Sequence, residues 1–150
     1  MNVAIGNDHH GVELKNQLVS ELEKAGHTVI NAGSNTADSV DYPDVAGEVA
    51  RKVAADLVDR GLLICGSGTG MAIAANKIQG VRAAVCLDQR TAKMSRQHNN
   101  TNVICLSGDW VEAEENLRIV SLWMNAEFEG GRHERRVTKI GQLDDSRGCE

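Results

Sequence analysis

The chain has 150 residues, 41% hydrophobic and 25% charged, with a formal net charge of −5, which suits one domain with a sizeable core. The acidic balance and an aromatic content of only 3% argue against a nucleic-acid surface, which needs basic patches and stacking rings. No apolar window is long enough for a membrane span.

The chain opens "MNVAIGNDHHG", without the basic region and long apolar stretch of a secretory signal, so a cytoplasmic location is the expectation. "NVAIG" (2–6) reads as a first strand, and Leu14, Leu18 and Leu22 place a helix after it. "HTVIN" (27–31) is the second strand. Val45, Val49, Val53 and Leu57 repeat the four-residue spacing behind Pro43, which takes the first helical position. "LLIC" (62–65), "VRAAVCL" (81–87) and "NVICLS" (102–107) complete five apolar runs of the kind expected for strands buried on both faces. "RQHNNTN" (96–102), which carries His98 and Asn99, reads as a loop. A helix follows from Glu112 to Asn125, its acidic start matching the positive end of the dipole. "GGRHERRVTKIGQL" (130–143) predicts a last short helix, with the tail fraying from about residue 142 through "DDSRGCE" (144–150). Five successive βα units predict an α/β chain, a parallel sheet with helices on both faces, as one domain over 1–150. Cys65, Cys86, Cys105 and Cys149 lack CxxC spacing and read as free thiols.

Chemistry concentrates where strands end. In open α/β sheets, ligands bind outside the carboxyl ends of the strands. There Cys65 runs into "GSGTG" (66–70), and the glycines open a helix whose first N–H groups are unpaired. The position suits an anion beside a thiol, since a helix N-terminus favours a thiolate. A Walker loop would continue Gly-Lys-Ser/Thr, but Met71 follows Gly70. A dinucleotide loop needs G-x-G-x-x-G after the first strand; here it is G-x-G-x-G after the third, although Asp88 imitates the ribose-binding acid. A thiol phosphatase would want an Arg where Met71 stands. A tight turn around a buried cysteine is the plain alternative. "GNDHHG" (6–11) follows the first strand and brings Asp8 and His9 to the same edge, where Asp8 could also merely cap a helix. Arg132 and Arg136 share a helical face at a spacing that suits a phosphate clamp, or a solvated basic face.

Six stretches in order, "GNDHHG", "SVDYPD", "ICGSGTGMAIAANK", "GVRAAVC", "SRQHNNTNV" and "EFEGGRHERRV", resemble the ribose-5-phosphate isomerase B family, which also holds galactose- and allose-phosphate isomerases. The resemblance runs from residue 1 to about 141. It implies a Rossmann-like three-layer α/β/α sandwich with a five-stranded parallel sheet, and a homodimer or a dimer of dimers. It implies aldose–ketose isomerisation of a phosphosugar through an enediolate, with no metal and no cofactor. Cys65 would be the base, since the other branch of the family has a Glu where this chain has Met71. Ser67 and the loop amides around Gly66, Gly68, Thr69 and Gly70 would hold the enediolate. His98, assisted by Asp8, would open the sugar ring. His9, Arg132 and Arg136 would hold the phosphate, and Tyr42 and Asn99 would contact the sugar. Since Cys65 follows a strand and His98 precedes one, an active site shared between two subunits is expected. Many family members carry an Arg shortly after the fifth strand. Here "SGDWVE" (107–112) puts Asp109 there, which disfavours a phosphate nearby, and other C4 to C6 phosphosugars stay open beside ribose 5-phosphate. A nucleotide-binding domain using residues 66–70 and Asp88, and a Cys-dependent hydrolase, are the competing readings.

Overall fold

The computed structural model describes residues 1–145. Strands β1 (Asn2–Asn7), β2 (Thr28–Asn31), β3 (Arg60–Cys65), β4 (Ala83–Val85) and β5 (Val103–Ser107) form one parallel sheet in the order β2-β1-β3-β5-β4. Helices α1 (Val12–Lys24), α2 (Tyr42–Ala54), α3 (Thr69–Ala75), α4 (Gln89–Asn99), α5 (Ala113–Asn125) and α6 (Arg132–Asp145) connect and follow the strands. The result is the expected three-layer α/β/α architecture.

Successive side chains of a strand point to opposite faces, and β3 shows the consequence. Leu62 and Ile64 join Leu14, Leu18 and Leu22 of α1 and Ile119 and Trp123 of α5 in one core. Leu63 and Cys65 join Val49 and Val53 of α2 and Met71 and Ala75 of α3 in the other. The period-two alternation therefore puts the Cys65 side chain on the α2–α3 side of the sheet.

Several expectations are corrected. The second strand lies at the sheet edge and is largely exposed rather than buried on both faces. The fourth pairs over three residues only. Leu57 is not on the helix: α2 ends at Ala54, the chain turns through Asp56 at a positive φ of 54°, and Leu57 is 65% exposed. Pro43 stands second in α2, behind Tyr42. His98 and Asn99 belong not to a loop but to the last turn of α4. That helix buries only Ala92 and Ser95, so it left no apolar period to read; Asp88 caps its start and Asn100, at φ 47°, ends it. The last helix is long, with fourteen residues. It takes in Asp144, whose carboxylate accepts the Gly80 amide at 2.9 Å, and Asp145. The rest of the predicted frayed tail, with Cys149, falls outside the described residues.

Candidate active site

From β1 and β3 at the middle of the sheet, the strand order runs outward in both directions, which makes their carboxyl ends the switch point where open α/β sheets bind ligands. The two ends are joined there: the Asp8 amide donates to the Ile64 carbonyl at 3.0 Å. Cys65 ends β3, 5% exposed. Its Sγ accepts the Gly68 amide at 3.1 Å. Because α3 has only seven residues, this single aimed N–H, rather than a long helix dipole, is the donor that serves the thiol. The other two described cysteines have no such donor. Burial pushes the Cys86 thiol up to about 11 and the Cys105 thiol well above its ordinary value, so both stay protonated. All three are free, as expected.

The three glycines of the turn have three different causes. A side chain at Gly66 would strike Asp109, whose Oδ2 lies 2.7 Å from the Cβ position. Gly68 adopts φ +79° against the Leu106 carbonyl, a left-handed conformation that glycine takes without strain. Gly70 lies beneath the Tyr42 ring, 2.7 Å from where a Cβ would sit. Tyr42, 41% exposed, thus roofs the turn. Ser67 Oγ accepts the Thr69 amide at 3.2 Å.

Asp8 does cap: its Oδ1 accepts the His10 amide at 2.9 Å in the turn that leads into α1. It also lies with His9 and His10 so that one ligand atom from each falls within 4.8 Å of the others, a group able to hold a cation. His9 packs on the His10 ring at 4.3 Å, and its buried Nδ1 has no protein partner.

The remaining expected residues are elsewhere. Cys65 pairs in register with Ser107 at the end of β5, and Gly61 with Val103 at its start. His98 and Asn99 precede that start, so roughly 13 Å of strand separates them from Cys65. His98 stacks on His133 with ring centroids 4.1 Å apart, and Glu129 lies 3.8 Å from the first ring and 3.7 Å from the second. This is a second group that could hold a cation. Burial, His98 and Arg132 lower the His133 pKa, with a further contribution from Arg136. Arg132 and Arg136 therefore accompany His98, and one chain does not bring them to His9 or Cys65.

Five features escaped the sequence. Asn7 is fully buried and donates to the Asp8 carbonyl at 2.7 Å. Lys15 is buried on α1 and donates to the Ser34 carbonyl at 2.5 Å and to Asn35 Oδ1 at 2.6 Å. It anchors the loop that leads to Tyr42. Ser107 Oγ donates to the Gly66 carbonyl at 2.6 Å and accepts the Trp110 amide at 2.9 Å. His10 Nδ1 lies 3.1 Å from Asp109 Oδ1. His133 was visible in "GGRHERRV", but only its arginine neighbours suggested a role. Asp88, which imitated a ribose-binding acid, is committed as a cap: its Oδ1 accepts the Thr91 amide at 2.7 Å and hydroxyl at 2.9 Å.

Residues 3–140 match the family model described as Ribose/Galactose Isomerase. The chain belongs to the ribose/galactose isomerase family. Ribose-5-phosphate isomerase B of Escherichia coli is 44% identical over 145 residues, covering 97% of each chain. Among solved structures, ribose-5-phosphate isomerase B of Clostridium thermocellum superposes with a TM-score of 0.96 at 46% identity, covering 98% of this chain and 99% of its own. The enzyme of Mycoplasma genitalium, with bound ribulose-5-phosphate, gives 0.94 at 44% identity over 96% of each chain.

Proposed function

We propose that this protein is an aldose–ketose isomerase that interconverts ribose 5-phosphate and ribulose 5-phosphate, with Cys65 as base. The observation that carries this reading is the Cys65 thiol at the switch point, with the Gly68 N–H aimed at its sulfur. In this mechanism the thiolate takes the proton from C2 of the open aldose. Negative charge moves onto the carbonyl oxygen, where Ser67 and the amides around Gly66, Thr69 and Gly70 hold it. The O2 hydroxyl then gives up its proton as O1 gains one, the Cys65 thiol returns its proton to C1, and the product is the ketose, with its carbonyl at C2 and a hydroxyl at C1. Proton transfer between adjacent carbons needs neither metal nor cofactor, and buried Cys86 and Cys105 stand aside as protonated thiols.

Ring opening and phosphate binding require the other end of the sheet. His98 is the proton donor to the ring oxygen, assisted by Asp8 across the site; Asn99 contacts the sugar with Tyr42; Arg132 and Arg136 hold the phosphate with His9. Their separation within one chain supports a homodimer in which His98 of the partner subunit faces Cys65. Ile73, Ile140 and Leu143, between 41% and 64% exposed, offer apolar surface for such an association. Among the described residues no helix is long and apolar enough to cross a membrane, in keeping with a cytoplasmic enzyme.

The test is an activity screen over C4 to C6 aldose phosphates with wild type and Cys65→Ser. Removing a base costs about 10²–10⁴-fold, so the variant is expected to lose turnover while keeping its fold. Absence of turnover by the wild type on every phosphosugar, or full activity of the variant, overturns the reading.

A further inference from the structure

We infer that His133 and Glu129 are positioning residues for ring opening: they fix the plane of the His98 imidazole and leave the proton of the stacked pair on it. The inference rests on the isomerase reading, in which His98 protonates the ring oxygen, and adds two residues that act on the sugar only through His98.

The segment "EGGRH" (129–133) is built around the last turn of α4. The Glu129 amide donates to the Gln97 carbonyl at 3.0 Å, one residue before His98. Gly130 and Gly131 then take φ of 64° and 57°, left-handed values that glycine adopts without strain, and turn the chain back into α6. The His133 amide closes that turn on the Gly130 carbonyl at 3.0 Å. His133 thereby arrives against His98 with ring centroids 4.1 Å apart and planes within 8° of parallel. Glu129 Oε2 lies 3.8 Å from His98 Nε2 and 3.7 Å from His133 Nε2. The two rings differ in exposure: the His133 side chain is 9% exposed and that of His98 30%. His133 is the buried wall of the stack, and His98 is its open face.

A general acid needs a fixed direction and a proton to give. An imidazole at a helix end turns about two side-chain bonds, and a parallel ring at stacking distance restricts that motion. Two imidazoles in contact resist charging together, because like charges repel. Burial, His98 and Arg132 disfavour the charged form of His133, with Arg136 adding and Glu129 opposing. A proton carried by the stack is therefore placed on the open ring and not on the buried one. Glu129 stands at ion-pair distance from both rings and balances that single positive charge. Arg132 and Arg136 are left to the phosphate.

The test is the kinetics of ribose 5-phosphate carrying hydrogen or deuterium at C2, with wild type, Glu129→Gln, His133→Ala and His133→Phe. When ring opening is slowed it limits turnover, and the isotope effect of C2–H cleavage is masked. Glu129→Gln and His133→Ala are each expected to lower kcat about tenfold, a part of what a whole general acid contributes, with KM nearly unchanged. Their isotope effect should fall toward one, or stay at one where ring opening already limits the wild type. His133→Phe restores a flat wall and should recover part of the loss. Glu129 is 49% exposed, so Glu129→Gln keeps the test decisive if His133→Ala does not fold. An unchanged kcat in a folded variant, a loss confined to KM, an isotope effect above one that is kept or raised, or a His133→Phe no more active than His133→Ala overturns this inference alone. A wild type that converts no phosphosugar overturns the isomerase reading instead, and a fully active His98→Asn removes His98 from ring opening.

Discussion

The two ends of the sheet are built by different means. At the carboxyl end, Asp8, Cys65 and Asp109 sit on the ends of neighbouring strands, and backbone bonds join their loops to one another. At the amino end, His98 and His133 sit on helix termini and are held by ring stacking and a shared Glu129. Strand-end groups inherit the precision of the sheet, while helix-end groups depend on how α4 and α6 meet. The charges also differ. The first end carries two carboxylates around a thiol, and the second carries Arg132 and Arg136 beside two imidazoles. In the proposed chemistry each end supplies what the other lacks: a base and an anion hole on one side, an acid and phosphate-binding cations on the other.

The largest expected effect breaks that complementarity directly. Cys65→Ala and His98→Asn are each expected to lose about 10²–10⁴-fold in kcat/KM. Refolded together in equal amounts, they should recover about a quarter of wild-type activity, because half of the random dimers carry one intact site. Size-exclusion chromatography confirms that mixed dimers form. A mixture as inactive as its parents would show that the two ends never meet across subunits.

Next comes the glycine that aims the amide. Gly68→Ala forces a side chain into the left-handed region and against the Leu106 carbonyl at 3.1 Å, where backbone leaves little room to give. About 2 kcal/mol of stability should be lost in urea titration. The displaced amide no longer serves Cys65 Sγ, so kcat is expected to fall more than KM rises. A variant with wild-type kcat would remove that amide from the chemistry.

The same comparison explains what could be read from the residues alone. Apolar β-rich runs and the Leu14–Leu18–Leu22 period fixed the layers, because burial on a sheet leaves a period that letters record. The carboxyl-end group was legible because chain order puts Asp8 and Cys65 past their strands. The His10–Asp109 pair was not, since its partners are 99 positions apart and meet only when β1, β3 and β5 align. Helix α4 was not legible either: its sequence "QRTAKMSRQHN" packs through small residues and lacks an apolar stripe. The His98–Glu129–His133 group depends on that helix, so it stayed hidden with it.

A smaller effect concerns the loop that delivers Tyr42. Lys15→Met fills the same buried space but removes the donor to Ser34 and Asn35. Burial already lowers the Lys15 pKa, so part of the lost hydrogen bonding is offset by relief of a buried charge. The expected net loss is about 1–2 kcal/mol, with protease cleavage appearing first in residues 32–41. A stability equal to wild type would mean that the loop is held without Lys15.

The smallest effect isolates the imidazole pair. The His133 pKa lies below its ordinary 6.5 because burial, the stacked His98 and Arg132 all disfavour its charged form, with Arg136 adding and Glu129 opposing. The unfolded chain therefore takes up a proton that the folded chain resists. Stability from this source is complete above about pH 6.5, falls as pH drops below it, and levels off once the folded value is passed. His133→Gln removes the titrating group while keeping a polar side chain. Its melting temperature should fall less than that of wild type between about pH 7.5 and pH 5.5. Equal slopes for the two proteins would show that His133 is free to protonate, and that the stacked pair does not set the acid limb of stability.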